Sequence, residues 1–239
     1  MKRINLKHVM RYSFLLATNA VTFDDFNTLR HSVNEEDIIY PIFRAFRKHG
    51  IKVKEKDFLR KYIESDRAYR KCLRETFRES LLDNIIVDVL MSLGYESTRI
   101  QDTVTHVVDE VLATQKAAWY PDALSVLNTL RKKGYKLGLI TDTHWRILDE
   151  TRKEFEKYFD VITLSYEHGY VKPHSSVFLV TLRKLRVNAS SCLHVGDDPV
   201  ADVEGAKNVG MKTAFIKRGK RKAKADMEIK RLSELVELL

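Results

Sequence analysis

Read as apolar and polar positions, the chain changes character twice. Residues 20–24 (AVTFD) form a short apolar run that stops at an acid. From about 34 to 117 the apolar positions recur at helical spacing, as in Ile38, Ile39, Ile42, Phe43 and Phe46, with a single proline, Pro41, and few glycines. A long charged stretch, 54–80, gives way to LLDNIIVDVLMSLG (81–94) and then to 98–117. About four helices with no strand between them predict a helical insertion.

From Pro121 onward the pattern alternates. An amphipathic helix, DALSVLNTLRKKG, closes at Gly134, a C-cap signal. Strands are expected at KLGLIT (136–141), VITLS (161–165), SCLHVGD (191–197) and KTAFI (212–216). Helices are expected at 144–158, 174–186, 199–210 and 228–238. Continuous apolar strands alternating with helices predict a doubly wound, Rossmann-like α/β core. With the run at 20–24 its parallel sheet has five strands, and a helical bundle is inserted after the first. The expected division is an N-terminal extension (1–18), the α/β core (19–33 and 118–239) and the helical segment (34–117). In such sheets ligands lie beyond the carboxyl ends of the strands. Asp24, Thr141 and Asp197 each close an apolar strand there.

Composition changes this picture little. At 44% apolar and 10% aromatic, 239 residues supply ample core. Two distant cysteines, Cys72 and Cys192, make no disulfide framework and fit a reducing compartment. No apolar stretch is long enough to span a bilayer. Basic residues before YSFLLATNAV superficially resemble a signal peptide, but cleavage near Ala17–Ala20 would cut into the first strand. The expectation is therefore an N-terminal helix and a cytoplasmic protein. The net charge of +9 is local: KRGKRKAK (217–224) holds six basic residues, and the balance without them is +3. No aromatic residue interrupts that run, which argues against nucleic acid as a partner.

The strand ends suggest a chemistry. Asp24, Asp197 and Asp202 are carboxylates that repel one another unless a cation intervenes, and such oxygen ligands suit Mg²⁺. Lys172, Thr28 and Thr141 offer a cation and hydroxyls for phosphate oxygens. This is a set for phosphoryl transfer, where positioning and charge neutralisation carry most of the work.

Four motifs sharpen it. FDDFNTL resembles Asp-x-Asp-Gly-Thr, a Thr closes LGLIT, GYVKP resembles Gly-x-x-Lys-Pro, and VGDDPVADVEGA resembles Gly-Asp-x-x-x-x-Asp followed by Gly-Ala. Together, over residues 19–239, they resemble the haloacid dehalogenase superfamily of hydrolases, and the helical block resembles that family's type-one cap, a mobile lid. The resemblance implies Asp24 as nucleophile, forming an aspartyl phosphate, because Thr28 stands four residues after it and only three after Asp25. It implies catalytic roles for Lys172 and Thr141. It implies a metal held by Asp24, the Phe26 carbonyl, Asp197 and Asp202, and a small anionic phosphorylated substrate. Thr28, Asp142 and His144 are candidate substrate contacts, with His144 also a candidate general acid. Asp198 is either a second metal ligand or a helix-starting acid. His194, inside an apolar strand, reads as a core residue. Asp25 reads as a solvated or turn-bonding carboxylate, since adjacent strand residues face opposite sides. Trp119 and Tyr120 would flank the hinge. Arg67, Tyr69, Arg70 and Lys71 would suit an anionic substrate, though a solvated helix face accounts for them equally well.

The chain also departs from the pattern. Asn27 replaces the usual Gly, and Asn tolerates the left-handed backbone better than other side-chain-bearing residues. Phe26 replaces the second Asp that family phosphatases use as acid and base. Dehalogenase members carry an aromatic there and work without metal, but their fourth motif lacks the first Asp of the pair, which is present here as Asp197. The leading expectation is a Mg²⁺-dependent phosphohydrolase. The alternatives are a 2-haloacid dehalogenase-like hydrolase and a catalytically weak binding protein that works through the N-terminal extension and the basic loop. Either of those segments could support a homodimer.

Overall fold

The structure, a computed structural model, describes residues 13–33, 38–77, 82–95, 97–142 and 148–239. Its centre is strand β1 (Ala20–Phe23), every residue of which is buried. On one side β1 pairs in parallel with β4 (Lys136–Thr141), which pairs with β5 (Val161–Leu164). On the other side it pairs with β6 (Cys192–Gly196), then β7 (Lys212–Ile216) and β8 (Met227–Ile229). The order β5-β4-β1-β6-β7-β8 is parallel throughout. The doubly wound core is as expected, with one strand more than the five read from the sequence.

Both faces are covered, which is why the central strands are continuously apolar rather than alternating. Helix Ala123–Lys132 buries Ala123, Val126, Leu127 and Leu130 against Val21, Phe23, Leu139 and Val195. Helix Ser175–Leu185 buries Val177, Phe178, Leu182 and Leu185 against Ala20, Ile140 and Cys192 on the opposite face. Each fully buried Leu or Phe contributes about 1.5–3 kcal/mol, so these faces hold the strand ends in place. Cys72 and Cys192 are both free thiols, and burial pushes that of Cys192 up to about 12.

The sixth strand is a correction. Met227 and Ile229 are buried and Glu228 is exposed, but three residues are too few to show period two. The last helix is consequently Glu234–Leu238 rather than 228–238. Residues expected as one helix at 199–210 form a π-helical turn, Pro199–Glu204, followed by Gly205–Asn208. A short 3₁₀ turn, Ser13–Ala17, precedes β1, while the rest of the N-terminal extension lies outside the described residues.

Four helices of the described residues lie between residues 33 and 117: Ile39–Lys48, Glu55–Thr76, Leu82–Ser92 and Ser97–Thr114. They pack around a cluster of their own that includes Ile42, Phe46, Phe58, Ile86, Val104 and Val107. Chain enters and leaves this segment through an antiparallel ribbon, β2 (Arg30–Ser32) with β3 (Ala117–Trp119). The ribbon was not legible, because RHS and AAW carry no alternating pattern. The helical segment also touches the core at Phe77, whose carbonyl accepts from Val171 N–H at 2.7 Å. No helix of the described residues is long and apolar enough to cross a membrane.

Candidate active site

β1, β4 and β6 deliver their carboxyl ends to one place, where the connections run outward in opposite directions. Asp24 follows β1, Thr141 ends β4, and Asp197 follows β6. Lys172 arrives from the loop after β5. Its Nζ donates to Asp24 Oδ1 at 2.6 Å and to Asp202 Oδ1 at 2.7 Å. All three groups are buried.

Asp202 is held from several sides. Asp198 N–H donates to its Oδ2 at 2.9 Å, and His194 Nε2 lies 3.4 Å from its Oδ1. His194 Nδ1 lies 2.9 Å from the Thr22 hydroxyl. One tautomer satisfies both contacts, with Nε2–H donating to Asp202 and Nδ1 accepting from Thr22. Burial lowers the His194 pKa, which favours that neutral ring. His194 is thus a core residue with a role that the sequence did not reveal: it ties the central strands to Asp202. Gly196 completes the arrangement, since a Cβ there would overlap the Asp202 carboxylate.

Asp24, Asp197 and Asp202 each offer a carboxylate oxygen, and these atoms lie within 4.8 Å of one another. Three acids against one lysine crowd more carboxylates than cations into the pocket. Burial pushes Asp24 well above the usual carboxylate range, with Lys172 pulling it back and Asp202 adding to the rise. Desolvation presses on Lys172, but Asp202 and Asp24 carry its pKa well above that of a free lysine, so it stays charged. Asp197 is pushed up to about 6, first by desolvation and then by Asp202. An all-oxygen donor set with more carboxylates than cations fits a hard divalent cation.

The other candidates divide. Thr141 is buried at the end of β4. Asp142, exposed as a residue, accepts from Lys172 N–H at 3.3 Å, and desolvation of its carboxyl raises its pKa. Thr28 is fully buried, and its hydroxyl has no hydrogen-bond partner among the described residues. Asp198 starts the π-helical turn: its Oδ1 accepts from Val200 and Ala201 N–H at 2.8 and 2.9 Å, and its Oδ2 pairs with Arg221. Of its two readings, the structure gives the helix-starting acid. His144 lies outside the described residues. Arg67 and Lys71 are exposed, and the Tyr69 hydroxyl donates to the Asn84 carbonyl within the bundle; the Arg70 side chain lies outside the description.

Asp25 is not solvated. It is fully buried and accepts from Arg30 Nε at 2.7 Å and Arg30 NH2 at 2.5 Å. Its carbonyl accepts from the N–H of Thr28, Leu29 and Arg30, so it also shapes the turn. Phe26 is half-buried, and its ring centroid lies 5.7 Å from the Arg30 guanidinium carbon. Asn27 adopts φ 59°, the left-handed turn that a glycine would otherwise make.

Residues 25–216 match the family described as Haloacid dehalogenase-like hydrolase. The chain is 41% identical over 104 residues to a glyceraldehyde 3-phosphate phosphatase of Pyrococcus abyssi, a match covering 42% of this chain and 43% of that protein. The chain therefore spans less than half the length of that relative. It is 28% identical over 230 residues to a phosphoglycolate phosphatase of Aquifex aeolicus, covering 92% of this chain and 95% of the other. Among solved structures it resembles a 2-haloacid dehalogenase from Pseudomonas syringae pv. Tomato DC3000, with TM-score 0.68, 25% identity and coverage of 92% and 97%.

Proposed function

The chain belongs to the haloacid dehalogenase-like hydrolase family, and from that premise we propose that it is a Mg²⁺-dependent phosphohydrolase acting on a small phosphorylated molecule. The observation that carries the proposal is the clustered trio Asp24, Asp197 and Asp202, two of whose members share the buried Lys172. A site that needed only to expel halide has no use for that excess of carboxylates. Relatives named as phosphatases point the same way.

In this reading the Asp24 carboxylate attacks phosphorus as the ester P–O bond breaks, the departing oxygen takes a proton from solvent, and water then cleaves the aspartyl phosphate to inorganic phosphate and restores the carboxylate. Lys172 holds Asp24 in position and offers its charge to the phosphate. Asp202, braced by His194 and the Asp198 amide, keeps Lys172 aimed at Asp24. The Thr141 hydroxyl binds a phosphate oxygen, and Asp142 and His144 serve as substrate contacts. Mg²⁺ would be held by Asp24, Asp197, Asp202 and the Phe26 carbonyl, and when bound it would neutralise the phosphate and its transition state. The helical segment acts as the lid that keeps water out, with Phe77 touching the Lys172 loop.

Phe26 favours a second reading, a 2-haloacid dehalogenase, because a halide leaves without a proton and the solved dehalogenase is similar along nearly the whole chain. Turnover of a broad panel of phosphate esters, with and without Mg²⁺, separates the two. Metal-dependent phosphate release supports the proposal. Metal-independent halide release from a 2-haloacid, with no phosphatase turnover, would sink it.

A further inference from the structure

One residue of the basic loop 217–224 turns inward. Arg218, half-buried, donates from Nε to the Asn27 carbonyl at 3.3 Å and from NH2 to the Thr28 carbonyl at 3.2 Å. Its guanidinium carbon lies 3.5 Å from the centroid of the Tyr120 ring. Tyr120 in turn donates its N–H to the Leu29 carbonyl at 2.9 Å, and its ring lies tilted against that of His31 with centroids 4.9 Å apart. A single side chain therefore joins three segments: the turn after the nucleophile, the ribbon leading to the helical segment, and the loop after β7.

We propose that Arg218 is a positioning residue for the hydrolytic reaction, a clamp that fixes the Asp24–Thr28 turn against the ribbon. The need for a clamp is local. Asn27 holds a left-handed backbone, which costs a residue with a side chain on the order of 1–2 kcal/mol. Such a conformation persists only where the surroundings over-determine it. Within the turn, Asn27 N–H donates to the Arg30 carbonyl at 2.7 Å. The Asn27 and Thr28 carbonyls accept no other hydrogen bond among the described residues than those from Arg218. A guanidinium suits the place because it is planar: it bonds two adjacent carbonyls in its plane while its face stacks on an aromatic ring, and an ammonium can do only one of these.

The same loop touches the fourth motif more weakly. Arg221, largely exposed, pairs with Asp198 Oδ2 at 2.6 Å. Lys220 and Lys222 are exposed and make no ion pair or hydrogen bond with a described residue. The loop thus contains its own controls. A clamp acts through Arg218 and a general positive field would act through any of these cations.

The proposal rests on the phosphohydrolase reading for its kinetic arm only. R218A is expected to lower kcat about ten- to a hundredfold with KM within about threefold of wild type, the scale of a nucleophile displaced by about an ångström. R218K, which keeps stem and charge, is expected to lose kcat as well, and guanidinium at non-denaturing concentration should restore part of the R218A loss where ammonium does not. K220A and K222A should leave kcat unchanged. If R218A does not fold, R218K carries the test. Hydrogen exchange over residues 26–30 gives a readout without substrate, and faster exchange in R218K or R218A than in wild type is expected. Wild-type kcat in both Arg218 variants, unchanged exchange over that turn, or lysine variants as damaging as R218A overturns the clamp. A wild-type protein that turns over no phosphate ester, yet shows the exchange difference, overturns the phosphohydrolase reading and leaves the clamp standing.

Discussion

Asp24 and Asp25 are neighbours in the chain, both are buried, and each is bonded to a buried cation at 2.5–2.7 Å. Their surroundings differ in one respect that decides what each can do. Arg30 meets Asp25 in a two-pronged pair ringed by Phe155, Trp119 and Phe26, whose rings lie 4.5, 5.9 and 5.7 Å from the guanidinium carbon. That pair sets one cation against one acid. Lys172 is shared between Asp24 and Asp202, with Asp197 beside them, so that cluster keeps an excess of acid. A matched pair specifies structure, whereas an unbalanced cluster is poised to take a cation and an anionic ligand.

The sharpest way to break the contrast is to neutralise each acid in turn. Asp24→Asn is expected to lower hydrolytic kcat by more than about a thousandfold, because the nucleophile itself is gone, while the protein stays folded. Unchanged turnover would mean the wrong acid has been assigned. The opposite side should respond oppositely. Arg30→Ala leaves a buried carboxylate alone and should destabilise the fold by about 3–5 kcal/mol in urea unfolding. Replacing both partners, Asp25→Leu with Arg30→Met, should recover most of that loss, since a well-packed apolar pair removes the desolvation penalty. Failure to recover would show that the carboxylate is needed for the turn.

A metal should act on one side only. Mg²⁺ at a hundred times its Kd is expected to stabilise wild type by about 2.7 kcal/mol in thermal unfolding, and Asp197→Asn to abolish the gain while Arg30 variants retain it. Phe26→Asp should raise phosphatase turnover by about tenfold if the missing acid limits the rate, at the low end of general acid catalysis. No change would place the acid elsewhere, with Asp142 or His144 the nearest candidates in sequence.

The smallest effect lies away from the site. Asp226 accepts from Thr213 N–H and Oγ1, both at 2.8 Å, and pairs with Lys207 at 3.1 Å. Desolvation opposes ionisation, but these bonds hold its carboxyl below the usual range. A folded-state pKa below the unfolded one adds stability that is present above the unfolded value and lost as pH falls through the folded value. Asp226→Asn should therefore narrow the stability difference between neutral and acidic pH by less than about 1 kcal/mol, given its exposure. Acid titration of the unfolding midpoint in both proteins checks this.

The resemblance of FDDFNTL to the family pattern singled out Asp24, and the structure sets that residue just after β1 with its carboxylate on Lys172. Asn27 was legible because few side-chain-bearing residues accept the left-handed turn, and it does so here. The strand ends were legible because apolar runs mark buried parallel strands and acids mark where they emerge. Asp25 and the basic run were not legible, since each is defined by a partner. Arg30 lies only five residues from Asp25, yet their bonding depends on a turn whose closure no pattern reports. Arg218 meets Asn27 across 191 residues. His194 looked like core and is core, but its hydrogen bond to Asp202 exists only because β6 and the following turn bring them face to face.

The sequence by itself determined the five longer parallel strands and the helical insertion, the doubly wound α/β class and a set of residues able to do chemistry, because periodicity and residue type are local properties. Tertiary structure alone decided which acid is paired and which is left in excess. Charge balance depends on distance, and distance between remote residues is set by packing.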